Sequence, residues 1–172
     1  MTVTSSTDTT SDGYAIAMVC LGNICRSPIA AVVLAAKLAR EGLDTVTVDS
    51  AGTGSWHIGD PMDRRAASLL ADHGYDAVQH RARQFTPDWF DTHDLVLAMD
   101  RTSIDELARL SRSPSDLDQV QLFRAFDPEA ETSFDVPDPW YGGRADFELV
   151  LAICERTTDV LVDELRDLDG IA

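Results

Sequence analysis

The chain has 172 residues, which suits one ordinary domain and is enough to bury a core without disulfides or a structural metal. Fourteen basic residues against 30 acidic ones give a net charge of −16. That balance argues against a general nucleic-acid binder and against a partner of anionic membranes, because both functions require basic surface. The three cysteines are too few, and odd in number, for a secreted domain built on disulfides.

The N-terminal segment, residues 1–13, is rich in Thr, Ser and Asp, and we expect it to be a disordered tail. It has neither a basic start nor an apolar stretch, so it does not resemble a signal peptide. The longest continuous apolar run, Ile29–Ala36, has eight residues, whereas a membrane-spanning helix needs about 20. The sequence therefore predicts a soluble, cytoplasmic protein with one folded domain over residues 14–172.

Strands and helices alternate along the rest of the chain. Apolar or β-branched runs of strand length predict strands at Tyr14–Cys20, Thr45–Asp49, Asp94–Met99 and Val120–Phe123. Apolar stripes bounded by caps, prolines and glycines predict helices from Ser27-Pro28 through Ile29–Arg40 to Gly42, from Pro61 to Gly74, at Ile104–Leu110, and from Phe147 to Leu168. This alternation predicts an α/β fold, a single domain whose four-stranded parallel sheet carries helices on both faces.

The first predicted strand runs directly into the segment Cys20-Leu21-Gly22-Asn23-Ile24-Cys25-Arg26-Ser27-Pro28. A tight loop that enters a helix can direct its N–H groups and the positive end of the helix dipole at one point, where a phosphate binds. Gly22 lets the backbone approach an oxygen closely, and the planar guanidinium of Arg26 matches two phosphate oxygens. The same field favours a thiolate at Cys20, so the segment predicts a nucleophile there and not merely a core cysteine.

This segment closely resembles the signature of the low-molecular-weight protein tyrosine phosphatases. The resemblance continues in order through Asp49–Thr53, His73-Gly74, Met99-Asp100 and Asp138–Gly142, and it covers the chain from about Tyr14 to the last helix. It implies a flavodoxin-like domain whose phosphate-binding loop comprises Leu21, Gly22, Asn23, Ile24, Cys25 and Ser27. The implied activity is hydrolysis of phosphotyrosine in proteins or peptides through a phosphocysteine intermediate, with phosphate and other oxyanions as inhibitors. The four histidines show no metal-ligand spacing, and we expect no metal or organic cofactor.

A thiolate that cleaves a phosphoester needs an acid to protonate the leaving oxygen. From spacing alone that acid could be Asp127, Asp135 or Asp138. The resemblance assigns the role to Asp138, in the segment Asp-Pro-Trp-Tyr-Gly. Asp138 would be the general acid of the first step and the general base that activates water in the second.

The resemblance implies supporting roles for four polar residues. Ser27 looks like the hydroxyl that steadies the thiolate as it leaves the phosphocysteine. Asn23, Ser50 and His73 look like the hydrogen-bond network that holds the shape of the loop. Their ordinary alternatives are an N-cap for Ser27, a strand end for Ser50 and a helix end for His73.

Three aromatic residues and a second cysteine complete the implied site. Trp56, Trp140 and Tyr141 look like the walls of a deep crevice that would stack on a phenyl ring and leave phosphoserine too short to reach the thiolate. Cys25 looks like the redox partner that would trap oxidised Cys20 as a disulfide. Its ordinary alternative is simple packing under the loop.

Three other functions compete with this interpretation. A protein arginine phosphatase resembles this family but has Thr where this chain has Ile24, and an apolar side chain there suits a phenyl ring. An arsenate reductase of the same fold needs further resolving cysteines, and the chain has none between Cys25 and Cys154. A non-catalytic phosphotyrosine-binding or redox-sensing module would need neither the thiol nor the acid. The chain also has Ala31 where the family usually has Glu, for which we expect a lost surface contact and no lost catalysis.

Overall fold

A four-stranded sheet forms the centre of the computed structural model, which describes residues 13–77 and 79–168. The described elements are, in chain order, β1 (Tyr14–Cys20), α1 (Arg26–Glu41), β2 (Val46–Gly52), α2 (Arg64–Asp72), α3 (Trp89–Thr92), β3 (Leu95–Ala98), α4 (Arg101–Leu110), α5 (Pro114–Asp118), β4 (Val120–Leu122), a 3₁₀ turn (Phe123–Phe126) and α6 (Arg144–Arg166). The tail predicted to be disordered lies outside the described residues, apart from Gly13. No helix in the described part of the chain has the length and apolar character needed to cross a bilayer.

The sheet is parallel throughout, and its strands lie in the order β2-β1-β3-β4. Alternate side chains of a strand point to opposite faces of a sheet. Ile16 and Met18 of β1 accordingly pack in a cluster with α1 and α6, whereas Ala17 and Val19 pack in another with α3 and α4. All four side chains are fully buried. The predicted four-stranded parallel sheet with helices on both faces is confirmed, and the strand order is flavodoxin-like.

The first helix begins before its predicted N-cap. Cys25 occupies the N-cap position of α1, and its carbonyl accepts the hydrogen bond from the amide of Ile29 at 3.1 Å. Ser27 therefore lies in the first turn of the helix, not at its cap. Because its hydroxyl does not cap the helix, that hydroxyl is available to the groups at the end of β1.

Two other helices begin at aspartates that the sequence analysis did not identify as caps. Asp63 caps α2, so this helix begins at Arg64 and not at Pro61. Asp100 caps α4, which therefore begins at Arg101 and not at Ile104. The short helices α3 and α5 were not predicted, because four or five residues are too few to show a helical period.

The connections place a crevice at the carboxyl end of β1. From β1 the chain crosses to β2 through α1 on one face of the sheet, and from β3 it crosses to β4 through α4 on the other face. In open parallel sheets of this kind, ligands bind where the chain turns to opposite faces, outside the carboxyl ends of the strands. Cys20 is the last residue of β1, so the predicted nucleophile lies at this point.

A buried ion-pair cluster fixes the segment that leads from β4 to α6. The carboxylate of Asp127 is fully buried and accepts hydrogen bonds from Arg156 Nε at 2.7 Å and Arg124 Nε at 2.9 Å. Arg124 also donates to the carbonyl of Asp135 at 2.9 Å, and Arg156 belongs to α6. Burial alone would raise the pKa of Asp127, but the hydrogen bonds from Arg156, the amide of Glu129 and Arg124 outweigh it, so the pKa is lowered.

We predict that Asp127→Asn lowers the free energy of unfolding by about 3 kcal/mol at neutral pH, because it leaves two partly buried guanidiniums without their fully buried carboxylate. A carboxylate with a lowered pKa in the folded state stabilises the protein above its unfolded pKa of about 3.9. The difference between wild type and variant should therefore shrink as the pH falls below about 4. Urea unfolding over this pH range measures it.

Glu129→Gln is the matched control, because Glu129 pairs with the same Arg156 at 3.4 Å but its side chain is 70% exposed. It should change the stability by less than about 1 kcal/mol. Equal losses in the two variants, or a loss in Asp127→Asn that does not depend on pH, would contradict the prediction.

Candidate active site

Residues 21–25 form the β1–α1 loop, which lies at the carboxyl end of the sheet. Amides from outside the loop occupy three carbonyl oxygens along it, each at 2.9 Å: Thr53 N binds Cys20 O, Gly54 N binds Leu21 O, and Asp63 N binds Ile24 O. These bonds hold the backbone in a tight turn that enters a helix, where the N–H groups of the loop other than that of Asn23, together with those of the first turn of α1, can bind an anion. The loop thus has the backbone arrangement of an oxyanion-binding cup.

The thiol of Cys20 is held at the floor of this cup. Its Sγ lies 3.0 Å from the hydroxyl of Ser27 and 3.3 Å from the amide nitrogen of Asn23, which donates to it. The residue is 3% exposed. The amide of Asn23 and the hydroxyl of Ser27 thus hold the sulfur in place beside the loop.

Asn23 connects the loop to three other segments. It is fully buried and has a φ of +56°, the left-handed conformation that Asn tolerates better than most residues. Its Nδ2 donates to the hydroxyls of Ser27 and Ser50, both at 2.9 Å, and its Oδ1 accepts from the amide of Arg83 at 2.9 Å. These bonds use both donors and the acceptor of the side chain, so Asn23, Ser27 and Ser50 do form one network.

The histidine in this network is His80, not His73. His80 Nε2 lies 2.7 Å from the carbonyl oxygen of Asn23, and since a carbonyl can only accept, Nε2 must carry the hydrogen. Burial lowers the pKa of His80, so the ring is neutral at pH 7. His73 ends α2, where its Nδ1 lies 2.9 Å from the carbonyl oxygen of Leu69. No local signal distinguishes the two histidines in the sequence, because His80 reaches the loop only through the tertiary fold.

Gly52, the last residue of β2, packs directly behind the loop. A Cβ at this position would lie 2.7 Å from the carbonyl oxygen of Leu21 and 3.1 Å from the amide nitrogen of Asn23. Both are backbone atoms, so a side chain there would displace the loop itself. The sequence analysis noted the segment Asp49–Thr53 but gave Gly52 no role, because close backbone approach leaves no signal besides the glycine.

Arg26 links the cup to two carboxylates. Its guanidinium is buried and donates to Asp100 at 2.5 Å, to Asp138 at 3.2 Å and to the carbonyl of Val136 at 3.2 Å. Burial alone would lower the pKa of Arg26, but the charges of Cys20, Asp100 and Asp138 raise it, so the guanidinium stays charged.

Asp100 is a site residue to which the sequence analysis assigned no role. Its carboxylate accepts from the amide and the hydroxyl of Ser103 at 2.7 and 2.8 Å, in addition to Arg26. Burial alone would raise the pKa of Asp100, but these hydrogen bonds and the charge of Arg26 lower it. An aspartate three residues before a serine at the start of a helix is a capping signal, and it could have identified this residue.

The structure separates the three aspartates that spacing left open as the acid. Asp127 is buried among arginines, and Asp135 accepts a hydrogen bond from the amide of Arg101 at 2.9 Å. Asp138 alone of the three lines the same cleft as Cys20 and Arg26. Its side chain is 48% exposed, and its Oδ1 accepts from the amide of Trp140 at 3.1 Å.

The cleft above the cup has a volume of about 310 Å³. It is lined by Cys20, Leu21, Gly22, Ile24, Cys25, Arg26, Trp56, His57, Asp138, Trp140 and Tyr141. The three aromatic residues that the sequence analysis placed around a crevice are therefore all at its walls. His57, which the sequence analysis did not assign to the crevice, lies between them, with its ring centre 5.9 Å from that of Trp140.

Cys25 is a buried free thiol in the same loop. Burial raises its pKa to about 12, and the charges of Asp63, Cys20 and Asp138 act in the same direction. Cys25 is therefore protonated at neutral pH. Cys154 is fully buried in α6 and lies in the core.

Residues 15–168 match a family model described as low molecular weight phosphotyrosine protein phosphatase. The chain is 45% identical over 156 residues to a low molecular weight protein-tyrosine-phosphatase of Streptomyces coelicolor, an alignment that covers 90% of this chain and 94% of that protein. It is 43% identical over 155 residues to low molecular weight protein-tyrosine phosphatase A of Mycobacterium tuberculosis, covering 89% and 92%.

Two solved structures show the same fold. A protein tyrosine phosphatase of Entamoeba histolytica, crystallised with Hepes in the active site, superposes with a TM-score of 0.85 at 31% identity, over 90% of this chain and 98% of that one. A Drosophila arginine phosphatase superposes with a TM-score of 0.82 at 27% identity, over 90% and 98%.

We predict that Gly52→Ala weakens the binding of inorganic phosphate by about tenfold or more, because the added Cβ displaces the backbone of the cup. Titration calorimetry with phosphate measures the affinity. Gly42→Ala is the control: its φ of +71° makes alanine costly by about 1 kcal/mol, but nothing lies within 4 Å of the added atom. It should destabilise the protein and leave phosphate affinity unchanged. Wild-type affinity in Gly52→Ala would contradict the prediction.

Proposed function

The chain belongs to the low molecular weight phosphotyrosine protein phosphatase family, and on that premise we propose that it hydrolyses phosphotyrosine through a phosphocysteine on Cys20. Arg26 binds the phosphoryl group, and Asp138 is the general acid and then the general base. One observation supports this assignment: Asp138, which lies 112 residues after Arg26 in the chain, lines the same cleft as Cys20 and Arg26. The thiol, the guanidinium and the carboxyl are the three groups that this reaction requires.

In the first step, the thiolate of Cys20 attacks phosphorus in line with the leaving oxygen. The S–P bond forms, the bond from phosphorus to the tyrosine oxygen breaks, and the carboxyl proton of Asp138 passes to that oxygen. The charge on the three equatorial oxygens is stabilised by the N–H groups of the β1–α1 loop and by Arg26, which are oriented before the reaction begins. Asp100 supports this step by holding the guanidinium at 2.5 Å.

In the second step, water attacks the phosphorus of the phosphocysteine, and Asp138 takes the proton from that water. The S–P bond breaks and inorganic phosphate leaves. The departing sulfur regains its negative charge, which the hydroxyl of Ser27 at 3.0 Å and the amide of Asn23 at 3.3 Å stabilise. The network of Asn23, Ser50 and His80 keeps these two donors in place during both steps.

The walls of the cleft support an aromatic substrate. Trp56, Trp140 and Tyr141 provide apolar area for a phenyl ring, and Ile24 adds an aliphatic side chain near the floor of the cleft. Proteins and peptides that contain phosphotyrosine are therefore the proposed partners. The structural similarity to an arginine phosphatase makes phosphoarginine the second candidate substrate, but Ile24 offers no hydrogen-bond acceptor to a guanidinium.

Cys25 is the proposed redox partner of Cys20. Both thiols are free and lie in the same loop wall of the cleft. A peroxide would oxidise the Cys20 thiolate to a sulfenic acid. Attack of the Cys25 sulfur on the sulfenic sulfur would then form the S–S bond, and the Cys25 proton and the sulfenic hydroxyl would leave together as water, which gives a disulfide that protects the nucleophile from further oxidation.

The remaining partners and the location follow from charge and chemistry. Phosphate and other oxyanions should bind the cup as competitive inhibitors, because they present the same oxygens as the substrate. A net charge of −16 favours neither nucleic acid nor anionic membranes. The unpaired cysteines suit a reducing compartment, so we propose a cytoplasmic location.

We predict that reduced wild-type protein releases phosphate from a phosphotyrosine peptide at mildly acidic pH and that Cys20→Ser abolishes turnover, because a serine hydroxyl lacks the thiolate's nucleophilicity. A phosphate-release assay measures both. Cys154→Ser is the matched control and should retain turnover once thermal unfolding shows that it is folded. Absence of release by the wild type, or full activity in Cys20→Ser, would contradict the proposal.

The same assay separates the alternatives. Phosphoarginine should be a poorer substrate than phosphotyrosine if Ile24 sets the preference, and faster release from phosphoarginine would replace the proposed substrate. Arsenate should inhibit without being reduced. A protein that binds phosphotyrosine peptide and releases nothing from any of these compounds would be a binding module.

A further inference from the structure

Arg65, in the first turn of α2, binds the turn that carries Asp138. Its Nη1 donates to the carbonyl oxygens of Trp140 at 3.1 Å and Gly142 at 3.2 Å. The guanidinium carbon also lies 5.8 Å from the ring centre of Trp140 and 4.6 Å from that of Phe147 in α6. Because the acceptors are backbone carbonyls, these hydrogen bonds hold the turn independently of what its side chains bind.

The remaining nitrogens of the same guanidinium, Nε and Nη2, bind Asp63. Asp63 Oδ1 accepts from Arg65 Nε at 3.1 Å and Asp63 Oδ2 accepts from Arg65 Nη2 at 3.0 Å, the paired geometry that a guanidinium and a carboxylate favour. The Asp63 side chain is only 12% exposed, and its amide donates to the carbonyl of Ile24 in the β1–α1 loop at 2.9 Å. Asp63 and Arg65 thus connect the cup directly to the turn that bears the acid.

This connection matters because the turn has few other anchors. Within the described residues, Arg26 and Arg65 are the only side chains from other elements that hydrogen-bond to residues 138–142. The bonds within the turn are local, from Trp140 N to Asp138 and from Gly142 N to Pro139 O. A phosphoryl group bound in the cleft would compete with Asp138 for the guanidinium of Arg26. The hydrogen bonds of Arg65 to the turn would persist, because they bind backbone carbonyls and not Asp138.

We propose that Arg65 is a positioning residue for the general acid: by binding the carbonyls of Trp140 and Gly142 it sets the distance of the Asp138 carboxyl from the leaving oxygen. This role rests on the proposed function of Asp138. Arg65 does not line the cleft that holds Cys20 and Arg26, so its proposed effect on the acid is exerted through the turn. A lysine could supply the charge but not the planar fork that binds two carbonyls and Asp63 together.

The chemistry of the leaving group provides the test. Tyrosine is a weak acid with a pKa of about 10, so its departure from phosphorus depends on protonation. Nitrophenol is a much stronger acid and leaves with little help. We compare kcat/KM for a phosphotyrosine peptide and for 4-nitrophenyl phosphate, because kcat/KM includes the step in which the leaving oxygen departs. A fault in acid positioning slows the first substrate selectively, whereas a damaged cup slows both.

Asp138→Ala is the reference and should lose about 10²- to 10⁴-fold on phosphotyrosine and far less on nitrophenyl phosphate. Arg65→Gln should lose about tenfold on phosphotyrosine and no more than about twofold on nitrophenyl phosphate. Arg65→Lys should fall between Arg65→Gln and the wild type. In the Asp138→Ala background, Arg65→Gln should add no further loss on phosphotyrosine. Arg64→Gln, which removes the neighbouring guanidinium, is the matched control and should remain within about twofold of the wild type on both substrates.

Equal losses on the two substrates, additive losses in the double variant, or wild-type rates in Arg65→Gln would overturn the positioning role. Thermal unfolding of each variant excludes a loss that comes from unfolding. If Asp138→Ala itself shows no preference between the substrates, the acid assignment fails and the role of Arg65 fails with it. If Asp138→Ala discriminates and Arg65→Gln does not, only the inference on Arg65 fails.

Discussion

The hydrogen bonds of the Asn23 side chain are the interaction on which the rest of the site depends. This one buried amide joins the β1–α1 loop to the first turn of α1 through Ser27, to β2 through Ser50 and to the segment after α2 through Arg83. These hydrogen bonds also offset the strain of a left-handed backbone at Asn23, which costs about 1 kcal/mol or more at a residue that is not glycine. Because these partners fix the loop before any anion binds, its N–H groups need no reorganisation during the reaction.

Local charge, and not net charge, governs the site. The chain carries −16 overall, which opposes a phosphate dianion at long range, but salt screens such a field beyond about 8 Å at physiological ionic strength. Arg26 and the loop amides act at contact distance. The two carboxylates that bind Arg26 differ in their surroundings, since Asp100 also caps a helix, whereas Asp138 is half exposed and lies on a turn with few anchors. This difference suits the proposed reaction, in which Asp138 first donates a proton and later accepts one.

The sequence could predict a site residue where its proposed role depends on neighbouring residues in the chain. Cys20 and Arg26 could be predicted as a nucleophile and a phosphate-binding group because a buried strand, a tight loop and a helix follow one another without interruption, whereas the role of Ser27 came only from the resemblance. Asp138 could not be separated from Asp127 and Asp135 by spacing, and only its resemblance to a known segment selected it. The resemblance also misled the analysis once, because a matching dipeptide selected His73 in place of His80. The contact between His80 and Asn23 joins residues 57 positions apart and leaves no local pattern in the sequence.

The sequence by itself determined the sheet, its buried first strand and the position of the β1–α1 loop, because hydrophobic periodicity and the loop motif are local properties that each segment carries alone. The sequence analysis placed the starts of α2 and α4 incorrectly, because it did not identify Asp63 and Asp100 as their N-caps. Only the tertiary structure decided which histidine supports the loop, that Gly52 must lack a side chain, and that Arg65 reaches the turn of Asp138. Each of these depends on two segments distant in the chain meeting within about 3 Å, a geometry that packing produces and that no single stretch of sequence encodes.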